Sequence, residues 1–116
     1  MSCTDHSLII DDYRESWAVI RGRVVGQDDQ PVRGATVRAI PLRPLHAQGD
    51  SVTSAADGSY LVRVTSFGVS SFRADVRIRV TSPTGGLADT VVTNLHVAEE
   101  GRGGRPDTLI LALRVR

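Results

Sequence analysis

Lysine is missing altogether: all 14 basic residues of this 116-residue chain are arginine. Without a side-chain amine, Schiff-base chemistry and lysine-derived isopeptide cross-links are excluded. Cysteine occurs once, as Cys3, so no disulfide closes within the chain and thiolate zinc sites lose their usual ligand. Aromatic residues make up only 4% of the chain, which leaves little from which to build a stacking platform for sugars or bases. No apolar run approaches the roughly 18 residues of a spanning helix, and the start lacks the basic-then-apolar layout of a signal peptide. An excess of one charge is absent too. Fourteen basic residues against thirteen acidic ones leave +1, no global field for nucleic acid, and none is expected as a partner.

β-Branched side chains are what the chain has in abundance. Valine, isoleucine and threonine supply 30 of the 116 residues, and they favour pleated strands over helices, where their χ1 freedom is lost. The fold class is therefore all-β, in a single domain. Charge divides the chain in two. Residues 1–16 carry Asp5, Asp11, Asp12 and Glu15 against Arg14, with Leu8, Ile9, Ile10 and Tyr13 between them, and read as an N-terminal tail or linker. Residues 17–116 read as a β-sandwich domain.

Within that domain, alternation and turn residues predict seven strands. The first spans Trp17–Val25 with Ala18, Ile20, Gly22 and Val24 facing inward. Gly34 bends the chain into a second strand that buries Ala35, Val37 and Ala39 and ends at Pro41 and Pro44. The stretch from Pro41 to Asp50, with Leu42, Leu45 and His46, reads as an irregular contact loop. A short strand over 51–55 leads to a hairpin turn at Asp57-Gly58, after which Tyr60, Val62 and Val64 face inward. Residues Thr65 to Phe72 read as a serine- and glycine-bearing loop whose Phe67 and Phe72 are expected to cover one end of the core. Val76, Ile78 and Val80 alternate with Arg77, Arg79 and Thr81, the mark of a sheet with one buried and one wet face. A strand over 88–97 has no clear inward register, because Val91 and Val92 are adjacent. A glycine-rich loop at 99–106 precedes a last strand that buries Leu109, Leu111, Leu113 and Val115.

Three clusters, Gly22-Arg23-Val24, Pro31-Val32-Arg33-Gly34-Ala35-Thr36-Val37 and Ala56-Asp57-Gly58-Ser59-Tyr60, resemble the carboxypeptidase regulatory-like domain. That resemblance covers residues 17–64 well and the remainder by strand pattern, with one mild departure at Ser54, where the family more often has threonine. It implies a seven-stranded Greek-key sandwich of the transthyretin-like (prealbumin-like, immunoglobulin-like) kind, related to adhesin B-type repeats. It also implies an accessory, spacer or contact role. Catalytic relatives on similar sandwiches fit poorly. Transthyretin-like hydroxyisourate hydrolases end in Tyr-Arg-Gly-Ser, whereas this chain ends Leu113-Arg114-Val115-Arg116. Intradiol dioxygenases bind iron through two tyrosines and two histidines, and here the tyrosines are Tyr13 in the tail and Tyr60 at a core position. Starch-binding sandwiches use paired tryptophans, and Trp17 is single.

His6, His46 and His96 have no chelating spacing, no nucleophile elbow is present, and Asp28, Asp29 and Asp57 read as turn formers rather than as a calcium site. No cofactor or metal is expected, and no enzymatic activity. The candidate partner-binding residues are the outward arginines Arg21, Arg23, Arg63, Arg77 and Arg79, some sharing a sheet face, together with Leu42, Leu45 and the tail's Leu8, Ile9, Ile10 and Tyr13. Arginines on strands also keep sheet edges from aggregating, so a solubilising role competes with binding. Cys3 is either a plain surface thiol or the lipid-bearing first residue of a mature bacterial lipoprotein. The expectation that follows is an extracytoplasmic interaction module, periplasmic or surface-facing, docking on a larger protein or membrane-protein complex as a structural subunit. The alternatives are a carbohydrate- or peptide-binding domain assisting an extracellular enzyme and a self-associating surface protein.

Overall fold

Alternation in the first predicted strand is realised almost residue for residue. β1 (Glu15–Val25) places Ala18, Ile20 and Val24 at zero exposure, and starts two residues ahead of the expected boundary. The computed structural model describes residues 15–44, 46–67, 71–99 and 105–116. Cys3, Leu8, Ile9, Ile10, Tyr13 and Leu45 lie outside the described residues, as do 68–70 and 100–104. Eight further strand segments and no helix follow β1 among the described residues. They are β2 (Thr36–Arg43), β3 (Gln48–Gly49), β4 (Ser51–Thr53), β5 (Ser59–Phe67), β6 (Phe72–Thr81), β7 (Leu87–Val97), β8 (Thr108–Ile110) and β9 (Leu113–Arg114).

The segments form two sheets. One runs β3-β5-β1-β8 with β9 also paired to β1, and the other runs β4-β2-β6-β7. The inward residues of both sheets make one core, in which Ile20, Val37, Val62, Val64, Val76, Ile78 and Val80 are fully buried. The expected inward sets at Tyr60, Val62 and Val64, at Val76, Ile78 and Val80, and at Leu113 and Val115 are all buried, because period-two alternation on a half-covered sheet leaves no other place for them.

Five expectations need correction, each for a tertiary reason. Pro41 does not end β2: the strand continues to Arg43 through a bulge against β6, at a place where the missing proline N–H is tolerated. Half of the stretch from Pro41 to Asp50 is therefore strand rather than loop, since β3 also falls within it and pairs with β5. Asp57-Gly58 forms a tight turn, closed by Gly58 N–H to the Ala55 carbonyl at 2.9 Å, but not a hairpin, because β4 pairs with β2 while β5 pairs with β1. The chain there steps from one sheet to the other. The expected loop over Thr65–Phe72 is shorter, since β5 runs on to Phe67 and β6 begins at Phe72. Phe67 is 52% exposed on the outer side of β5, whereas Phe72 does pack on the core.

The unresolved register of the strand over 88–97 is explained by a bulge. Ala88 and Val92 face inward up to a register shift opposite Ala74–Val76; Asn94 then adopts φ 62°, and Leu95 and Val97 resume the inward positions. Asp75 accepts the Asn94 N–H at 3.1 Å and so satisfies a donor near the irregularity.

The three motif clusters meet around two buried polar nodes. Gly22 pairs with Tyr60 across β1 and β5, and a Cβ on Gly22 would stand 2.1 Å from the Leu111 carbonyl oxygen. Only hydrogen at this position lets the segment between β8 and β9 cross so closely. Tyr60 donates its hydroxyl to that same carbonyl at 2.6 Å. At the second node, Ser54 Oγ accepts the Ala35 N–H at 2.9 Å and donates to the Val32 carbonyl at 2.6 Å, fastening the Pro31–Ala35 stretch to the end of β4. The hydroxyl is what this position uses, and threonine carries it equally.

Candidate arginine-bearing sheet face

Because inward and outward residues alternate, the same strands that bury Val37, Val76 and Ile78 must present Arg38, Arg77 and Arg79 to solvent. Strand register then decides which of them meet. Arg38 on β2 lies opposite Arg79 on β6, and Arg79 lies opposite Asp89 on β7. The next row along is Ile40, Arg77 and Val91, and Arg43 lies opposite Asp75. Arg73 stands further along β6, opposite His96. The outer face of β2, β6 and β7 thus collects Arg38, Arg43, Arg73, Arg77 and Arg79 against Asp75 and Asp89, a balance of +3.

The two carboxylates are fully committed. Asp89 stands 3.4 Å from both Arg77 Nε and Arg79. The Arg77 Nε is buried and has no aligned hydrogen bond, so its pairing with Asp89 is coulombic only. Asp75 pairs with Arg43 at 3.2 Å while holding the Asn94 N–H. Arg73 donates to the Asn94 carbonyl at 3.3 Å. No carboxylate among the described residues pairs with Arg38, which sits directly across from a second arginine. Like charges at such a cross-strand position are mildly destabilising, which a solubilising role alone does not require. Apolar side chains lie among these guanidinium groups: Val91 is 44% exposed, Leu42 at the β2 bulge 40%, and Ile40 is half-buried.

The expected arginines do not form a single group. Arg77 and Arg79 belong to this face, while Arg21, Arg23 and Arg63 lie on the opposite face of the sandwich, on β1 and β5. There Arg23 is 4.0 Å from Asp57 and Arg63 is 3.8 Å from Asp50. Hydrogen bonds from Ser59 hold the Asp57 carboxyl below its ordinary range, with a smaller contribution from Arg23. Leu61 and Ile110 line a shallow depression of about 630 Å³ beside Arg21. Glu15, Asp50 and Asp57 balance the three arginines, so this second face is close to neutral.

Arg38, Arg43 and Arg73 were missed as site residues. The alternation Val37-Arg38-Ala39 and Arg73-Ala74-Asp75 carries the same signal that singled out Arg77 and Arg79, but the pairing of Arg38 with Arg79 depends on a register that no local pattern specifies.

The remaining polar residues are dispersed. His46 Nδ1 lies 2.9 Å from Ser66 Oγ with its ring edge-on to Phe72, and the N–H of His96 donates to Asp107 at 2.8 Å. Burial pushes the Tyr60 hydroxyl up to about 12, which suits its role as a neutral donor to Leu111. Asp28 accepts from the Gln30 N–H at 3.2 Å and Asp57 from the Ser59 N–H at 3.0 Å, both as turn contacts, and Asp29 pairs with Arg114. Among the described residues, no three of His, Cys, Asp and Glu converge on a point that a metal ion would occupy. Among the described residues, Tyr60 is buried with its hydroxyl on the Leu111 carbonyl and the His46 ring is on Ser66 Oγ, so neither stands free as an iron ligand; Tyr13 and His6 lie outside the described residues.

No family model and no curated protein matches the chain. Among solved structures, it is similar to the 3-chlorocatechol 1,2-dioxygenase of Rhodococcus opacus, with a TM-score of 0.53 at 10% identity, covering 91% of this chain. The chain spans 62% of that enzyme's length. A further match is the dioxygenase domain of a dioxygenase carbohydrate-binding protein fusion from the cellulolytic bacterium Streptomyces sp. SirexAA-E. There the TM-score is 0.48 at 14% identity, covering 85% of this chain and 79% of that one. The first likeness is one of fold, and it corrects the expectation of a chain without enzymatic activity. A sandwich of this shape occurs in a catechol dioxygenase, so the fold supplies no ground for excluding catalysis.

Proposed function

We propose that the chain is an interaction module that docks on an acidic partner through the outer face of β2, β6 and β7, as a subunit or accessory of a larger assembly. The observation that carries this reading is the row Arg38–Arg79, two like charges held opposite each other on a face whose balance is +3. Guanidinium groups make forked hydrogen bonds to carboxylates, and a partner supplying them would relieve the repulsion that the free protein sustains. Val91 and Leu42 give the same face an apolar component, as docking surfaces ordinarily have.

With this goes the reading of the nine segments as seven Greek-key strands, β3 with β4 and β8 with β9 each being one interrupted strand, in a carboxypeptidase regulatory-like sandwich. A place outside the cytoplasm, with Cys3 as the lipid-bearing residue, belongs to the same proposal. The test is isolation of the native protein with any stoichiometric companion, followed by the same isolation for Arg38→Glu/Arg79→Glu and for Arg21→Glu. The companion should be acidic at its contact, should leave as salt is raised, and should be lost from the first variant alone. Retention by Arg38→Glu/Arg79→Glu would end this reading of the face, and an unmodified mass at Cys3 would end the lipid anchor.

A further inference from the structure

The reading of β2, β6 and β7 as a docking face raises the question of what covers it when no partner is bound. We propose that the first 14 residues of this same chain are a ligand for that face and compete with outside partners for it; the inference rests on the docking reading above.

Charge selects both the segment and the face. Residues 1–14 hold Asp5, Asp11 and Asp12 against Arg14, an acidic stretch in a chain whose arginines are concentrated elsewhere. The face of β2, β6 and β7 carries +3, whereas the opposite face is balanced by Glu15, Asp50 and Asp57. Arg38 has no carboxylate partner among the described residues, and the buried Arg77 Nε lacks an aligned acceptor. Arg38 therefore has capacity for added acceptors, whereas the Arg77 Nε, being buried, is closed to an incoming group. Apolar character matches as well: Leu8, Ile9, Ile10 and Tyr13 punctuate the acidic stretch, and Ile40, Leu42 and Val91 punctuate the arginines. A second copy of the chain is the poorer occupant, because face-to-face stacking would set +3 against +3.

The connection also has the reach. β1 begins at Glu15, opposite Phe67, and Trp17 bridges to Ala98, which places this end of the sandwich beside Phe72, Val97 and Arg73. Crossing one sheet spacing of about 10 Å and running six residues along β6 to Arg79, about 20 Å, requires some 30 Å. Fourteen residues extend to at most about 50 Å. Asp5, ten residues before Glu15, reaches at most about 36 Å, enough for the Arg38–Arg79 row, while Asp11 and Asp12, within about 14 Å, serve the Arg73 end of the face. Being tethered, the segment acts at an effective concentration on the order of millimolar, so modest contacts suffice to occupy the face.

Cys3 is the single cysteine of the chain, so on full-length protein produced without lipidation a nitroxide attached to its free thiol reports on this segment alone. The amide signals of Arg38, Arg79 and Val91 should lose intensity several-fold relative to the reduced label, while those of Arg21, Leu61 and Ile110 keep theirs. The loss should disappear in Arg38→Glu/Arg79→Glu and on raising the salt of the wild type, which serves equally should the variant fail to fold. Equal loss on both faces, greater loss at Leu61 and Ile110, or a loss indifferent to salt and charge reversal would overturn the proposal. If the label shows no preference while the charge-reversed variant still loses its companion, self-occupancy falls and the docking face stands. If the companion also stays, both fall together.

Discussion

Replacing Gly22 with alanine isolates one physical cause, because this glycine has no positive φ and its substitution strains no backbone angle. The added Cβ would lie 2.1 Å from the Leu111 carbonyl oxygen and 2.8 Å from its carbon, and neither belongs to a side chain that can swing aside. The backbone at Leu111 must therefore retreat from β1. Two hydrogen bonds go with it, Leu111 N–H to the Arg21 carbonyl at 2.8 Å and Tyr60 hydroxyl to the Leu111 carbonyl at 2.6 Å. Each is worth about 1 kcal/mol net, and up to about 3 kcal/mol where a buried partner is left unsatisfied. Parallel pairing of β8 and β9 with β1 loosens at the same time. The expected loss is about 3–5 kcal/mol, a large share of the roughly 5–15 kcal/mol that holds a domain of this kind together. Urea unfolding followed by Trp17 fluorescence should show the midpoint fall accordingly. Gly85→Ala is the control: its Cβ meets nothing within 4 Å, and its φ of +93° leaves only left-handed strain of about 1–2 kcal/mol. A Gly22→Ala protein as stable as wild type, or more stable than Gly85→Ala, would refute the close-approach argument.

Two further outcomes follow from the buried polar nodes. Ser54→Ala leaves the Ala35 N–H and the Val32 carbonyl without their partner and should cost about 2–3 kcal/mol, while Ser54→Thr keeps the hydroxyl and should stay within about 1 kcal/mol, both read by urea titration. Tyr60 titrates near 12 in the folded chain against about 10 unfolded, so folding favours its protonated form. Its contribution is complete below pH 10 and is lost as pH climbs from 10 to 12. With allowance for partial solvation at the hydroxyl, that loss is on the order of 1–2 kcal/mol. Tyr60→Phe should be less stable at neutral pH and lack this alkaline step; a step of equal size in the variant would assign it to another group.

Wherever a single strand carried its own instruction, the sequence was legible. The inward residues of β1, β5 and β6 follow from alternation alone, because a one-residue slip would expose the whole apolar set. The turn at Asp57-Gly58 was legible as a turn for a similar reason: Gly58 takes φ +81°, and its Cβ would strike the Val24 carbonyl at 2.5 Å. That it joins two sheets rather than two neighbouring strands was not legible, since short strands separated by a turn look the same in either arrangement. Pro41 misled because proline ends central strands but is accommodated at a bulge such as the one in β2. The irregularity at Asn94 was audible only as a conflict, the adjacent Val91 and Val92, with no indication of how the chain resolves it.

The arginine face divides along the same line. That Arg38, Arg77 and Arg79 point to solvent was settled by the valines, alanine and isoleucine beside them in the chain, a local matter of pleat and burial. That Arg38 stands across from Arg79, that Asp89 is shared between two guanidinium groups, and that Arg21, Arg23 and Arg63 lie on the other side of the molecule were decided by strand order and register. Pairing between strands distant in sequence is chosen by the core as a whole, through contacts among residues that no local pattern connects, so only the folded chain reveals where its charge gathers.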